Sequence, residues 1–382
     1  MSEIQHDTLQ LAKALIACRS ITPADGGALA LLATRLTAAG FRCERLDRGS
    51  VSNLWARCGD SGPLVCLAGH VDVVPPGPIG EWTNDPFIPT ERDGELYGRG
   101  AADMKSSVAA MVTAAERVVR GGSGGSIAIL LTSDEEGDAV DGTAAVVSML
   151  RERGETIDTC IVGEPTSTER FGDTIKNGRR GSLNGRLRVR GQQCHIAYPE
   201  RGRNPIHDAT PAIAALVSTE WDRGNEYFQP TSFQISNVHA GTGASNIIPG
   251  TLDVAFNFRF SPESTAQVVQ ARVREVLDRC NLQYELEWTV IGEPFLTRPG
   301  RLVDALIASV ESVAGVRPAL STGGGTSDGR FLARLAREVV EFGPLNDSIH
   351  KIDEHVHIAD LERLSMIYER TVKRLWEAFA RS

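Results

Sequence analysis

Three short, mostly apolar runs, residues 63–68 (P-L-V-C-L-A), 126–131 (S-I-A-I-L-L) and 159–162, punctuate the chain, with helical stretches between them. A strand without polar alternation must be covered on both faces, and a parallel sheet held between helices does that. Residues 7–17, 27–40, 109–119 and 142–152 carry the helical period, the second of these ending at Gly40, a natural helix stop. The expected architecture is α/β with a mainly parallel sheet. Near residue 183 the pattern changes. Residues 183–189 (L-N-G-R-L-R-V) alternate strictly, as in a strand with one wet face. A helix over 205–219, strands over 232–239 and 250–259, a helix over 262–279 and a strand over 282–290 complete a β-α-β-β-α-β order, which is ferredoxin-like. Patterns of the first kind return after 301 and end in a helix over 359–380. With 382 residues, more than one core usually serves. The reading is therefore one α/β domain formed by residues 1–180 and 293–382, interrupted by an inserted α+β domain over 181–292. Gly121-Gly122-Ser123-Gly124-Gly125 reads as a flexible turn.

The net charge of -9 and the lack of a Lys/Arg-rich block argue against a nucleic-acid partner. No apolar stretch approaches the ~20 residues that span a bilayer. The start, Met1-Ser2-Glu3-Ile4-Gln5-His6-Asp7, lacks a basic and apolar leader. Seven scattered cysteines without a C-x-x-C pair read as reduced thiols, so a cytoplasmic location is expected.

Four acidic or imidazole positions follow expected strands of the α/β domain, where open sheets bind ligands. They are His70 and Asp72 after 63–69, Asp103 in Gly98-Arg99-Gly100-Ala101-Ala102-Asp103-Met104-Lys105, the pair Glu135-Glu136 after 126–131, and Glu164 in Val162-Gly163-Glu164-Pro165. Histidine and carboxylates without cysteine suit zinc or another borderline divalent ion. One carboxylate can bridge two such ions. Asp72 can support the imidazole two residues before it. Adjacent side chains on an extended segment point to opposite sides, so one of Glu135 and Glu136 can ligate while the other acts as general base. Each position also has an ordinary reading: an Asp at a helix start usually caps it, and Glu-Glu is usually a solvated turn.

Taken together, Gly69-His70-Val71-Asp72-Val73-Val74-Pro75, residues 94–105 and Thr132-Ser133-Asp134-Glu135-Glu136-Gly137 resemble the M20 family of metallopeptidases and deacylases. Later motifs extend the resemblance over nearly the whole chain: residues 176–182 (K-N-G-R-R-G-S), 324–331 (G-G-T-S-D-G-R-F) and 343–351 (G-P-L-N-D-S-I-H-K). The resemblance implies two zinc ions per subunit, with cobalt able to substitute. It makes Asp103 the bridge, His70 and Glu164 the remaining ligands of one ion, and Glu136 and His350 those of the other. Glu135 becomes the general base and Asp72 the support of His70. The inserted domain becomes a lid through which the chain forms a homodimer, and His195 reaches the partner's site to stabilise the oxyanion. The implied substrate is a small N-succinyl amino acid, N-succinyl-LL-2,6-diaminopimelate, contacted by Arg179, Tyr198, Asn246, Arg259, Thr326 and Asn346. Two departures stand out: Cys194 replaces the family's glycine before the lid histidine, and Val71 replaces threonine between His70 and Asp72. The alternatives are an acetylornithine deacetylase or other N-acyl-amino-acid amidohydrolase, and a metal-free binding homologue. No G-x-S-x-G elbow occurs, which disfavours a serine hydrolase.

Overall fold

The computed structural model describes residues 3–122 and 124–381, so Met1, Ser2, Ser382 and Ser123 of the glycine-rich turn lie outside the described residues. The chain divides into two compact units: Met1–Gly178, Leu296–Ser321 and Ser327–Ser382 form one, and Arg179–Phe295 with Thr322–Thr326 forms the other.

The first unit is built on an eight-stranded sheet. Its middle is parallel: Ser126–Thr132, Leu64–His70, Ile157–Val162 and Ala336–Glu341 lie side by side in that order. Every residue of Leu64–His70 and of Ser126–Thr132 is buried, so both faces of these strands are covered, as their unbroken apolar character requires. Helices Glu3–Ala17, Ser106–Arg120, Arg301–Ala314 and Ile358–Ala380 pack together around Val108, Val112, Leu306, Tyr368 and Leu375. Two antiparallel strands, Arg42–Arg45 and Asn53–Cys58, extend one edge. The apolar rule passed over them because Arg42-Cys43-Glu44-Arg45 carries three charges and lies at the outside of the sheet.

The parallel register decides where chemistry can occur. His70 pairs with Thr132 and Ala68 with Val162, so the segments after all these strands emerge on one side of the sheet.

The second unit is a four-stranded antiparallel sheet in the order Ser232–Ala240, Thr251–Phe260, Gly181–Arg190, Tyr284–Gly292. Two helices, Pro205–Ser218 and Ala266–Arg279, cover one face over Leu183, Leu187, Val254, Phe256 and Phe258. This is the ferredoxin-like arrangement. Asn204 and Thr265 cap the two helices, accepting hydrogen bonds from the amides of Ile206 (3.0 Å) and Val268 (3.2 Å). Arg179 donates to the Gly323 carbonyl at 2.9 Å and Thr322 to the Tyr227 carbonyl at 2.6 Å, which ties the distant segment Thr322–Thr326 into this unit. Among the described residues no helix is long and apolar enough to cross a membrane.

Leu67 is fully buried at the centre of the parallel sheet. Leu67→Ala should cost about 2–5 kcal/mol, read as a lower denaturant midpoint of the first unit; an unchanged midpoint would show that the strand is not a core element.

Candidate metal centre

The strand ends converge. His70 closes Leu64–His70, Glu135 and Glu136 follow Ser126–Thr132, Glu164 follows Ile157–Val162, and His350 lies in the loop after Ala336–Glu341. Asp103 sits in the irregular segment Ala101–Lys105 ahead of helix Ser106–Arg120, with a cis peptide to Met104. It does not cap that helix. Its two oxygens face different groups: Oδ1 lies 3.1 Å from His70 Nε2, and Oδ2 lies 3.4 Å from His350 Nε2. On the first side Glu164 Oε1 is 3.9 Å from the same His70 nitrogen. On the second side Glu136 Oε1 is 2.9 Å from His350 Nε2. The sets His70/Asp103/Glu164 and Asp103/Glu136/His350 each bring three donor atoms within 4.8 Å of one another, close enough to share an ion; His70, Glu135 and Glu136 form a third such set.

Burial makes the cluster costly without a cation. His70 and Asp103 are buried, and Glu164 Oε1 is a buried oxygen that accepts no hydrogen bond. Burial, reinforced by the negative charge of Asp103 and other carboxylates, raises both Glu164 and Glu135 well above the usual carboxylate range. Burial also disfavours the Asp103 anion, but hydrogen bonds from His350 and His70 outweigh it and hold Asp103 below the usual range. Hydrogen bonds to Asp103 and Glu136 push His350 up to about 10. Burial opposes a charge on His70, yet the surrounding carboxylates raise it well above the ordinary imidazole value. Protons on the two imidazoles thus take the places that cations would take, and oxygen and imidazole donors without thiolate fit a borderline divalent metal.

Asp72 acts in two ways. Its backbone carbonyl lies 2.9 Å from His70 Nδ1, which therefore donates, leaving Nε2 directed at Asp103. Its carboxylate stands 3.6 Å from Nδ1 and instead accepts the amides of Glu135 (3.3 Å) and Glu136 (3.1 Å). The support expected from the side chain of Asp72 thus reaches His70 through the main chain, while the side chain shapes the Glu135-Glu136 turn. Val71 is fully buried, in keeping with an apolar residue between the two.

Among the residues expected to meet substrate, Asn346 lies in the first unit and Arg179, Tyr198, Asn246, Arg259 and Thr326 in the second, with His195. The second unit brings three of these positions, His195, Asn246 and Tyr198, close together. Cys194–His195 pairs with Ile247–Ile248, Ile196 donates to the Asn246 carbonyl at 3.0 Å, and the Tyr198 ring stands 5.7 Å from that of His195. His195 is exposed, and its Nδ1 accepts the Ala197 amide at 3.1 Å, so the neutral ring carries its proton on Nε2, free to donate outward. The Cys194 thiol turns back into this loop, donating to the Tyr198 carbonyl at 3.5 Å. A Cβ on Gly202 would clash with that sulfur, so the larger residue at 194 is matched by a glycine opposite. Arg179 is buried, and Arg259 pairs in register with Ser182 and Ser232.

Two groups escaped the sequence reading. Asp328, inside the 324–331 motif, is buried with Oδ1 lacking a hydrogen bond, and burial pushes it up to about 6. Lys105 is fully buried, donates to the Cys18 carbonyl at 2.8 Å and is lowered by burial to about 8. Both stood in motifs already noted, but nothing in their spacing distinguished them from surface charges.

Oxygen and imidazole donors gathered at one end of a parallel sheet, divided about one carboxylate with a further carboxylate beside them, are the arrangement of a metal-dependent hydrolase. Comparison with known proteins agrees: the Peptidase family M20/M25/M40 profile matches residues 66–374. The chain belongs to the M20 family. It is 61% identical over 371 residues, 97% of this chain and 99% of the other, to a succinyl-diaminopimelate desuccinylase of Alkalilimnicola ehrlichii. It is 59% identical to that of Bordetella petrii, over 96% of this chain and 97% of that one. Among solved structures, the M20 metallo-carboxypeptidase Sso-CP2 of Sulfolobus solfataricus shares the fold, with a TM-score of 0.83 at 18% identity over 99% of this chain and 100% of that one.

Metal can bind only where the imidazoles give up their protons. The metal-free cluster keeps a proton up to about pH 10 at His350, so affinity should rise with pH, and binding at pH 8 should release protons. Calorimetric titration in two buffers of different ionisation enthalpy reads this directly; heats that do not depend on the buffer would contradict the protonated cluster.

Proposed function

We propose that this chain hydrolyses N-succinyl-LL-2,6-diaminopimelate to succinate and LL-2,6-diaminopimelate, using two zinc ions for which cobalt can substitute. The observation that carries the metal reading is Asp103, whose two oxygens face His70 on one side and His350 on the other. The substrate rests on the near full-length identity to desuccinylases. His70, Asp103 and Glu164 would hold one ion, and Asp103, Glu136 and His350 the other. Bound there, the metals would acidify a water molecule and polarise the amide carbonyl.

The chain's own residues do the rest. Glu135 is half-buried and is not part of either three-residue ligand set that contains Asp103. Its raised proton affinity suits a general base, which takes the proton of the attacking water and delivers it to the leaving amine nitrogen. Asp72 holds the turn that carries Glu135 and Glu136 by accepting both of their amides. The substrate's carboxylates need planar cationic partners, and Arg179 and Arg259 supply forks of that kind, with Tyr198, Asn246, Thr326 and Asn346 as polar contacts. The second unit serves as a lid and dimerisation surface, and His195 of a second copy donates its Nε2 proton to the developing oxyanion. The seven cysteines are free thiols, consistent with work in the reducing cytoplasm.

A site built around a carboxylate rejects an analogue lacking it by up to ~10⁴–10⁵-fold. N-succinyl-LL-2,6-diaminopimelate should therefore far exceed N-acetylornithine in kcat/KM, with the gap reduced in Arg179→Ala; comparable values in the native chain would favour a general deacylase.

Glu135→Gln should retain both metals and lose turnover by at least ~10²–10⁴-fold, whereas Glu136→Gln should lose one ion. Metal content and kcat measured on both variants decide it, and equal metal loss would show the division of roles to be wrong.

For the lid, co-expressed Glu135→Ala and His195→Ala chains should recover roughly a quarter of native activity, since about half of randomly assorted dimers are mixed and each mixed dimer has one intact site. Isolated heterodimer no more active than either parent would place His195 in its own chain's site.

A further inference from the structure

One buried carboxylate outside both ligand sets binds the backbone on which they stand. Glu354 lies four residues after His350 and is only 1% exposed. All its accepting capacity is in use. Oε2 accepts Arg99 NH1 at 2.7 Å and the Gly100 amide at 2.9 Å, while Oε1 accepts the Ala102 amide at 2.9 Å and the Asp103 amide at 3.0 Å. Its backbone carbonyl takes the Gly98 amide at 2.9 Å. Arg99 also donates to the Lys351 carbonyl at 3.2 Å, next to His350, and its guanidinium stacks 5.0 Å above Trp82. Four donors converging on one group require an ionised carboxylate, since a protonated acid or an amide would turn a hydrogen toward one of them.

We propose that Glu354 is a positioning residue that clasps the Gly98–Asp103 turn to the His350 loop and so sets the spacing of Asp103, Glu136 and His350 for one of the two ions. The proposal rests on the metal reading above. His70 and Glu164 stand directly behind central strands and need no such tie. His350 is different: its side chain is 48% exposed, and its backbone sits at φ 60°, a conformation that non-glycine residues seldom adopt unless their surroundings impose it. Removing the clasp releases the histidine and the bridging aspartate's turn together. The ion held by Asp103, Glu136 and His350 loses more than the ion that keeps His70 and Glu164.

The test uses the full-length native chain, Glu354→Gln and Glu354→Asp, each stripped of metal and titrated with Zn²⁺ against a chromophoric chelator. Supporting outsized loss at one ion, Glu354→Gln should bind the first equivalent nearly as well as the native chain and the second about 10–100-fold more weakly. Glu354→Asp, which keeps the charge but not the reach, should fall between them. The visible spectrum of the second Co²⁺ equivalent should change while that of the first does not, a signature that general destabilisation does not produce. Native affinity for both ions in either folded variant, or equal weakening of both, overturns the proposal. If Glu354→Gln fails to fold, Glu354→Asp decides by the same criteria. A native chain that binds fewer than two ions overturns the functional reading and this proposal with it, so the two failures are distinguishable.

Discussion

Like-charge repulsion among buried carboxylates is the constraint on which the first unit turns. Buried Asp103 and Glu164 and half-buried Glu135 and Glu136 are gathered at the end of one sheet, where solvent screens them less than at an open surface. Two imidazoles are the only bases facing them in the ligand sets, and both are driven toward protonation. Such a cluster is stable only with positive charge inside it, either protons or metal ions. The same repulsion that makes the metal-free site costly makes it a strong cation trap, and it also raises the proton affinity of Glu135 toward what proton transfer requires.

The sheet makes that gathering possible. In parallel strands all the chain segments that follow emerge on one side, so short sequence motifs far apart meet without long loops. Asp103 needs something else, because it arrives from an irregular segment rather than from a strand. Its position is taken from both sides: by the imidazoles at its oxygens and by the Glu354 carboxylate at its amide. Asp72 plays the matching part for the Glu135-Glu136 turn. Carboxylates outside the two sets that share Asp103 therefore shape the segments that carry those sets.

Much of this was legible in the residues. The apolar runs named three of the four central parallel strands, Ala336–Glu341 being the one they did not name, and the strict alternation of 183–189 marked a different kind of sheet in the second unit. His70, the Glu135-Glu136 pair and Glu164 could be placed because a ligand behind a buried strand leaves a two-part pattern, apolar then acidic. Asp103 was harder: in sequence it looks like a helix cap, and only its distances to two histidines separate the readings. His350 was visible only through resemblance, since it lies nine residues beyond Glu341 in a loop with no period of its own. Asp328, Lys105 and Glu354 were illegible for another reason. A charged residue carries no mark of burial in the sequence, inside a motif or beyond one, and their importance comes from partners up to 255 positions away.

The most direct test is diffraction from zinc-soaked crystals at the zinc absorption edge. Two anomalous peaks ~3.5–4 Å apart are expected, one on each side of the Asp103 carboxylate, the first also touching His70 and Glu164 and the second Glu136 and His350. A single peak, or two peaks of which only one touches Asp103, would contradict the divided carboxylate as the organising feature of the site.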